Sequence, residues 1–581
     1  MRPRTSAAKY SGHSIVVTLL SSILACGGSS DPAPVVVPPS SFAEKISNVT
    51  ISDSLIYFSV EVAEGRFELF SVNPTTGVRN NVSDVFSANN SLRPLAVTTD
   101  GSRVGYRADR DNDGVDELYS NLADGSNEVL ITNQLESNIP LAQARYNWQW
   151  MPDASQIIFR NDMDSDGIFE VQSILPDGTN LQSLSASLSV TCDGSVCWKI
   201  ASNSSLITFK TESLNLTSQI SQNLFSVLPD ASGLTQLNQT LSEDSRINNW
   251  LFAPGNSLIA YTSQNAGEVS ELYTVLADAS VRTLINSQSQ SLGVLDFAWA
   301  PDGSRIAFTD DVLLAGQSSL YTDLADASDP LHMIDTFEVA NPILTQWQWS
   351  PDSSKLAYMA DQETSGVFEL FTVQNDAQWH RAMNAPLPLN GVVQNEWQWS
   401  PASDFVAFYA EIDLQKSYDE LYSSAADGTQ VTQVTLPFSS DASIRITNQH
   451  WTPNGANIIY SIVDANGVIN VLYSVQGDGS NVRQMSNNIN PGEAIGDNYL
   501  VSPDSSRVLY QVTSADGLTT SLQISSLNSS NRINLATLGV VSQFYWSNDS
   551  SRIIYVIKTD DNISQQLFSI LPDGTGKVPL Y

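Results

Sequence analysis

The chain has 581 residues, more than one ordinary hydrophobic core accommodates, so several domains or a long repeat array are expected. Its 62 acidic and 27 basic residues give a formal net charge of −35. A surface of this sign repels phosphate backbones, which argues against nucleic acid as a partner. An acidic, soluble surface is enough to explain the charge, and binding of a metal or a cationic partner is the alternative.

Residues 1–25 have the features of an export signal. A basic start precedes an apolar run from Ile15 to Ala25, which is shorter than the roughly 20 residues that a membrane-spanning helix needs. The run leads into Leu24-Ala25-Cys26-Gly27, which resembles the lipobox of bacterial lipoproteins. That resemblance implies that Cys26 is acylated and becomes the mature N-terminus. Ordinary secretory cleavage near Ala25 is the alternative.

Residues 26–42 predict a flexible tether. Their Gly, Ser and Pro content forms neither a core nor regular structure, and fifteen such residues reach at most about 50 Å. A glycine rather than an aspartate follows Cys26, which resembles outer-membrane sorting among lipoproteins. We therefore expect an outer-membrane lipoprotein, held at the membrane by its lipid, that faces the periplasm or the cell surface.

The two remaining cysteines are close together in the sequence. Cys192 and Cys197 flank a turn-forming Asp-Gly-Ser, and in an exported chain this spacing predicts a local disulfide. Two free thiols are the alternative. A zinc site is not favoured, because no further ligands accompany the pair.

A sequence motif of about twelve residues recurs through the rest of the chain. A clear copy runs Trp347-Gln-Trp-Ser-Pro-Asp-Ser-Ser-Lys-Leu-Ala-Tyr358. Eleven copies follow one another at intervals of 45 to 53 residues, and their closing aromatic residues are Tyr57, Tyr106, Phe159, Phe209, Tyr261, Phe308, Tyr358, Phe408, Tyr460, Tyr510 and Tyr555. A fixed period of this length indicates a repeat architecture.

Each repeat contains four short strand patterns separated by polar turns. In one copy the strands are expected near residues 346–349, 355–360, 368–373 and 380–383, with Ser-Pro-Asp and Asn-Asp turns between them. No sustained helical period is evident in the mature chain. Four antiparallel strands every fifty residues predict an all-β fold, a β-propeller of about eleven four-stranded blades. The tryptophans expected to pack between blades are Trp148, Trp150, Trp347, Trp349, Trp397 and Trp399.

The segments Trp299–Asp326 and Trp349–Val373 resemble the blade repeat of the TolB propeller and of the prolyl-oligopeptidase and tricorn group. The resemblance covers nearly all of the chain after residue 43; it implies the fold and says little about function. Eleven blades exceed the usual four to eight of one ring. We therefore favour two tandem propellers, blades 1–5 over residues 43–288 and blades 6–11 over residues 289–581, with one wide ring as the alternative.

Two hairpins between second and third strands carry oxygen ligands at calcium-binding spacing. The ligand positions are Asp109, Asp111, Asp113, Val115 and Glu117 in one hairpin, and Asp162, Asp164, Asp166, Ile168 and Glu170 in the other. Calcium takes six to eight oxygens, and the valine and isoleucine would supply their carbonyls. Because strands flank both loops, they resemble the calcium hairpins of α-integrin propellers. A polar hairpin without metal is an equal alternative, and residues 361–366 form a degraded third copy.

The function predicted from these features is that of a binding or scaffold module in the cell envelope, with a protein or polysaccharide partner and with calcium stiffening the early blades. Catalysis finds little support, since no Gly-x-Ser-x-Gly occurs. The alternative is a carbohydrate-active enzyme, a lyase or hydrolase with its site in the propeller channel. It resembles propeller lyases that act on pectic fragments with a histidine-held metal. His332, His380 and His450 would have to converge there.

Overall fold

The computed structural model describes most of the chain after residue 44. The described residues are 45–63, 66–83, 93–108, 110, 117–132, 148–162, 167–192, 197–214, 220–239, 245–255, 257–286, 291–312, 318–328, 332–333, 343–388, 391–411, 420–435, 445–463, 468–486, 492–527, 532–536, 539–558 and 564–581. Residues 42–581 form one compact unit. The signal segment, Cys26 and the tether lie outside the described residues. Within those residues, no helix is long and apolar enough to cross a membrane.

The described part of the chain is all-β. Blades 1–4 comprise β1 (Lys45–Ile51), β2 (Ile56–Ala63), β3 (Arg66–Val72), β4 (Arg79–Ser83); β5 (Arg93–Val97), β6 (Arg103–Ala108), β7 (Glu117–Leu122), β8 (Val129–Thr132); β9 (Trp148–Trp150), β10 (Ile157–Asn161), β11 (Glu170–Ile174), β12 (Gln182–Ser183); and β13 (Trp198–Ile200), β14 (Ile207–Leu214), β15 (Ile220–Val227), β16 (Thr235–Gln236). Blades 5–8 comprise β17 (Arg246–Phe252), β18 (Leu258–Gln264), β19 (Glu271–Leu276), β20 (Arg282–Leu284); β21 (Ser291–Trp299), β22 (Arg305–Val312), β23 (Ser318–Leu324), β24 (His332–Met333); β25 (Leu344–Trp349), β26 (Lys355–Ala360), β27 (Glu369–Gln374), β28 (His380–Ala382); and β29 (Val392–Trp399), β30 (Phe405–Glu411), β31 (Glu420–Ala425), β32 (Val431–Gln433). Blades 9–11 comprise β33 (Arg445–Trp451), β34 (Asn457–Val463), β35 (Ile469–Gln476), β36 (Arg483–Gln484); β37 (Ala494–Val501), β38 (Arg507–Thr513), β39 (Thr520–Ser526), β40 (Arg532–Ala536); and β41 (Val540–Trp546), β42 (Ile553–Lys558), β43 (Gln565–Ile570), β44 (Val578–Pro579).

Every blade is antiparallel and keeps its four strands in sequence order. Because neighbouring strands run in opposite directions, the first-to-second and third-to-fourth turns share one face of each blade. The second-to-third and fourth-to-first connections share the other face. We call these the turn face and the loop face. A single pair, Ile469 with Ile495, also links the sheets of blades 9 and 10.

The turns on the turn face are closed by aspartates. In the turn between β25 and β26, Asp352 Oδ1 accepts a hydrogen bond from the backbone N of Ser354 at 3.1 Å. Ser353, between them, has a left-handed φ of 65°, and its hydroxyl accepts from the backbone N of Asp302 in the preceding blade at 2.9 Å. The Ser-Pro-Asp-Ser motif therefore both reverses the chain and joins two blades. This explains why it recurs with the blade period.

The hydrophobic cores lie between the blades. Eleven clusters of buried side chains each combine two neighbouring blades. All eleven closing aromatic residues of the repeat are buried, with exposures of 0 or 1%. In eight blades this residue stacks on an aromatic neighbour of the third strand at 5.4 to 5.8 Å, as Tyr358 does on Phe371. The repeated motif thus supplies the aromatic residues that pack between the blades.

The eleven blades form one ring. The cluster that joins blade 11 to blade 1 contains Ile554 and Leu567 together with Ile56 and Phe58, and the backbone N of Ile46 donates to Gln565 Oε1 at 2.7 Å. The fold class, an eleven-bladed propeller, is confirmed. The favoured division into rings of five and six blades was wrong, because blades 5 and 6 share a core like any other pair and because the last blade closes onto the first.

Tryptophans at the ends of the first strands show which strand is innermost. In blades 3, 6, 7, 8, 9 and 11 the indole Nε1 of this residue donates to a backbone carbonyl of the preceding blade at 3.1 to 3.3 Å. The acceptor is always on the preceding first strand, one residue before its end, as with Trp349 and Ala298. First strands are therefore neighbours around the ring, and they line its central channel.

Candidate binding site in the central channel

The first strands are irregular at one level of the channel wall. In nine of the eleven blades their pairing with the second strand shifts register, and the extra residues lie opposite positions zero to two residues beyond the closing aromatic. Such bulges redirect side chains and are common beside binding sites. A ring of bulges at one height is therefore the feature of the channel best placed to hold a ligand.

In eight of these blades at least one side chain at the bulge is exposed, and most of these exposed side chains are polar. We call them the bulge ring: Asn48, Asn248, Leu295, Thr345, Asn395, Asn448, Asn498 and Ser542. Each belongs to a different blade and lies on the innermost strand. An amide side chain offers both a donor and an acceptor in a fixed plane. Apart from Glu396, which is also exposed at the blade 8 bulge, the ring thus presents uncharged hydrogen-bonding groups from most sides of the channel.

Backbone conformation explains only part of this asparagine preference. Asn48 and Asn448 have a left-handed φ of 53°, which asparagine tolerates better than most residues. Asn248, Asn395 and Asn498 have no positive φ, so their backbone does not require a residue that tolerates the left-handed region. Three of the five amides therefore have no conformational reason to be asparagine, which favours a role for the side chain itself.

A second level of polar side chains lies nearer the ends of the first strands. In the repeated Trp-Gln-Trp motif, the two tryptophans pack toward the blade interface. Gln348 and Gln398, which lie between such tryptophans, are exposed. His450 occupies the same position in blade 9, where its ring meets Tyr499 edge-on at 5.7 Å. Partial burial there lowers the pKa of His450, which favours the neutral imidazole near pH 7.

One pocket opens at the bulge ring between blades 5 and 6. Its volume is about 460 Å³, and its lining includes Asn248, Asn249, Gln264, Leu295 and Asp296. A second pocket of about 350 Å³ lies on the loop face of blade 7. There burial raises the pKa of Glu369, whose carboxylate accepts a hydrogen bond from Asn384 Nδ2 at 3.0 Å.

The two predicted calcium hairpins are described only in part. Asp109, Asp111, Asp113, Val115, Asp164 and Asp166 lie outside the described residues. Glu117 Oε2 accepts from the backbone N of Arg110 at 2.9 Å, and Glu170 Oε1 accepts from that of Ser187 at 2.8 Å. Both carboxylates thus already have backbone donors.

A comparison with the degraded third hairpin shows which contact belongs to the turn itself and does not depend on a metal site. Asp162 Oδ2 accepts from the backbone N of Gly167 at 2.9 Å, and Asp361 Oδ2 makes the same contact with Gly366 at 2.8 Å in the degraded copy. The bond therefore closes a hairpin whether or not the ligand pattern is complete. Among the described residues no group of three His, Cys, Asp or Glu could hold a metal, and calcium stays a prediction.

The remaining predicted site residues lie away from the channel or apart from one another. Cys192 and Cys197 are joined in a disulfide, and both contact the core between blades 3 and 4. His332 and His380 lie on the outermost strands of blades 6 and 7, whereas His450 lies on an innermost strand. The strands therefore do not bring all three histidines to the channel, and a histidine-held metal stays a prediction.

The bulge ring was missed by sequence reasoning. Strand alternation assigns residues to faces with a period of two, and a bulge breaks that period at the very residues that matter. The signal that could have found it is an asparagine three or four residues before the first-strand end in five of the repeats. In Asn395-Glu396-Trp397-Gln398-Trp399 this signal is clear once the innermost strand is known.

No protein-family model matches the chain, and no curated protein does. Solved structures similar to it include an oligogalacturonate lyase in complex with manganese, at 13% identity and a TM-score of 0.30, covering 62% of this chain and 96% of that one. Another is the dipeptidyl peptidase 4 of Porphyromonas gingivalis, at 12% and 0.38, covering 72% and 65%. A putative TolB from Agrobacterium tumefaciens follows at 17% and 0.24, covering 43% and 83%. These neighbours have mixed functions, and at such similarity they carry no argument about what this chain does.

Proposed function

We propose that the protein is a lipid-anchored binding module of the bacterial cell envelope, which takes up a neutral polysaccharide at the mouth of its propeller channel. The observation that carries this proposal is the bulge ring, where exposed polar side chains from successive blades surround one opening. A binding function needs no convergent catalytic groups. It needs a rigid frame with repeated hydrogen-bonding groups, and a closed ring of sheets supplies that frame.

The chemistry of the ring favours a sugar polymer. Hydroxyl groups both donate and accept, and amide side chains meet both needs without a charge. The acidic surface of the chain, at −35, repels polyanions and so disfavours charged glycans. Repeated sugar units would also match the repeated blades, since successive units could contact equivalent positions. A protein partner is the competing outcome in the test below.

Binding is tested with purified full-length protein in detergent. Neutral and acidic envelope polysaccharides and envelope protein fractions are immobilised separately, and retention of the protein is measured. We expect retention on neutral polysaccharide, reduced in the Asn248→Ala/Asn395→Ala/Asn498→Ala variant. All three positions are exposed and lack a left-handed φ, so the fold should tolerate alanine. Retention only on envelope protein, or equal retention by the variant, would contradict the proposal.

The anchor is tested in cells. Lipid on Cys26 would hold the chain at the membrane, since multiple acyl chains bind far more firmly than one. A Cys26→Ala variant should move from the membrane to the soluble fraction. A Cys192→Ala/Cys197→Ala variant serves as the control, because it also replaces cysteines but leaves the lipobox intact. An unchanged membrane fraction for Cys26→Ala would remove the anchor from the proposal.

A further inference from the structure

The pocket between blades 5 and 6 differs from the rest of the bulge ring. Asn248 on β17 and Leu295 on β21 are the extra residues of two neighbouring bulges, and both line this pocket of about 460 Å³. That volume lies within the range of small-molecule sites. Leu295 is 64% exposed and is the one apolar side chain in the bulge ring. An apolar group is thus exposed to water where the other seven members of the bulge ring are polar.

The polar side chains of the pocket are held in place by internal hydrogen bonds. Asn249 Oδ1 accepts from the backbone N of Trp250 at 2.8 Å and from Lys199 Nζ at 3.3 Å. These bonds fix the amide plane and leave Nδ2 to donate to a ligand. Asp296 Oδ1 accepts from the backbone N of Phe297 at 2.9 Å, which leaves Oδ2 as an acceptor.

Gln264 completes the set. Its Nε2 donates to the backbone carbonyl of Glu268 at 2.9 Å, so its Oε1 is oriented as a second acceptor. The pocket therefore combines one fixed donor, two fixed acceptors, the adaptable amide of Asn248 and the apolar surface of Leu295. Fixed groups lose little freedom on binding, so more of each contact appears as affinity.

We infer that this pocket is a subsite for one end or a short stretch of a neutral oligosaccharide. The inference rests on the proposed function and names where in the channel mouth recognition is strongest. A pyranose ring has hydroxyl groups on its edge and C–H groups on its faces. The hydroxyls would donate to Asp296 Oδ2 and Gln264 Oε1 and accept from Asn249 Nδ2, while a C–H face packs on Leu295. The carboxylate of Asp296 disfavours an anionic sugar at this place.

The test uses the full-length protein and short neutral ligands. Cellotetraose, mannotetraose and N-acetylchitotetraose are titrated into wild type by calorimetry, and we expect at least one to bind. Asp296→Ala removes a charged acceptor and should weaken that binding about tenfold or more. Leu295→Asn restores the polar residue found elsewhere in the ring and should also weaken it. Thermal melting of each variant checks that the ring is intact.

Asn248→Ala and Asn498→Ala form a matched pair. Both residues are exposed bulge asparagines on innermost strands, but only Asn248 lines the pocket. A tetrasaccharide in the pocket should lose affinity with the first change and not with the second, because blades 5 and 10 lie on different sides of the ring. Binding that is insensitive to Asp296→Ala and Asn248→Ala, or that falls equally with Asn498→Ala, overturns the subsite while the channel-binding function stands. No binding of any of the three tetrasaccharides by folded wild type also overturns it, and the polysaccharide retention experiment then decides the broader function separately.

Discussion

The tryptophan at the end of a first strand has two roles in this fold. At the end of a first strand the tryptophan ring fills the space between blades, and its Nε1 satisfies a carbonyl of the neighbouring blade. That carbonyl belongs to the first strand of the preceding blade, so the bond ties two neighbouring first strands together. Where the residue is not tryptophan, as with Phe252 in blade 5, the packing is kept without the bond. The six indole bonds therefore add directional contacts to an otherwise non-directional interface.

We expect Trp349→Phe to destabilise the ring more than Trp347→Phe does. Both changes remove the same atoms from one strand, but only Trp349 donates to a carbonyl across the blade interface, at 3.2 Å. The additional loss should be about 1 kcal/mol, the usual net value of such a hydrogen bond. Denaturant midpoints of the two variants measure the difference. Equal midpoints would show that the indole contributes packing alone.

The aspartates of the third-to-fourth turns should make stability depend on acid pH. The hydroxyl two residues further on and then the backbone amide of that residue lower the pKa of each of these carboxyls, namely Asp124, Asp177, Asp230, Asp278, Asp427, Asp478 and Asp573. A carboxyl with a lowered folded-state pKa stabilises the fold above its unfolded pKa, about 3.9 for aspartate. That contribution is lost as pH falls through the folded-state pKa.

A variant with asparagine at several of these positions should therefore lose stability less steeply below about pH 4 than wild type does. Asparagine keeps the acceptor oxygen of the turn, as Asn203 and Asn454 do in the first-to-second turns of blades 4 and 9. Urea midpoints between pH 7 and pH 2 measure the two slopes. Parallel slopes would mean that other carboxyls dominate acid unfolding.

At the scale of the hairpin, calcium binding predicts a change in thermal stability. If residues 109–117 and 162–170 bind it, added calcium should raise the melting temperature by a few degrees over a chelated sample, because a ligand that binds only the folded state stabilises it. Asp111→Ala/Asp164→Ala should abolish the rise. Glu363→Gln, in the degraded third hairpin, should leave it unchanged. A wild-type protein that melts at the same temperature with and without chelator holds no calcium in these hairpins.

The blades could be predicted from the sequence, whereas the side chains that line the channel could not. A blade is local: its four strands lie within about fifty residues, and turn chemistry such as Ser350-Pro351-Asp352 marks each reversal. The bulge ring depends on which edge of the blade faces the axis and on where the first strand departs from regular pairing. The alternation of side chains along a strand, which has a period of two, reveals neither of these. Asn395 and Asn498 look like any polar residues of an edge strand until the ring is assembled.

At the scale of the whole molecule, the ring closes through side-chain contacts and not through a shared sheet. Blade 11 and blade 1 exchange no strand, and their junction is the packed cluster around Phe58 and Leu567 with a hydrogen bond from Asn548 Nδ2 to Asp53 Oδ1 at 3.0 Å. Tyr581 completes it, packing edge-on against Phe58 at 5.7 Å. Ring number could not be predicted because this contact joins residues some five hundred positions apart, and because the wedge angle of a blade is set by packing rather than by any motif.

We expect Phe58→Ala to open the ring at this junction. Removing a buried phenylalanine costs about 3–5 kcal/mol, and at the junction no covalent connection holds the two blades together. Hydrogen exchange should therefore rise first in β1–β4 and β41–β44. Phe159→Ala, at the interface of blades 2 and 3, is the matched control and should raise exchange locally without releasing either chain end. Uniform protection loss in both variants would mean that the ring unfolds as one unit.

Because each sheet is built from four strands that follow one another in the sequence, the coding unit and the folding unit coincide. Copying or deleting one stretch of about fifty codons would add or remove a complete blade and leave the four-stranded ladders of the other blades whole. A propeller closed by a shared sheet has no such freedom, since its first and last segments must complement each other. Because the junction between Phe58 and Leu567 is made of side chains, gain or loss of a blade during evolution would widen or narrow the channel in discrete steps. Each blade would keep its own residue of the bulge ring.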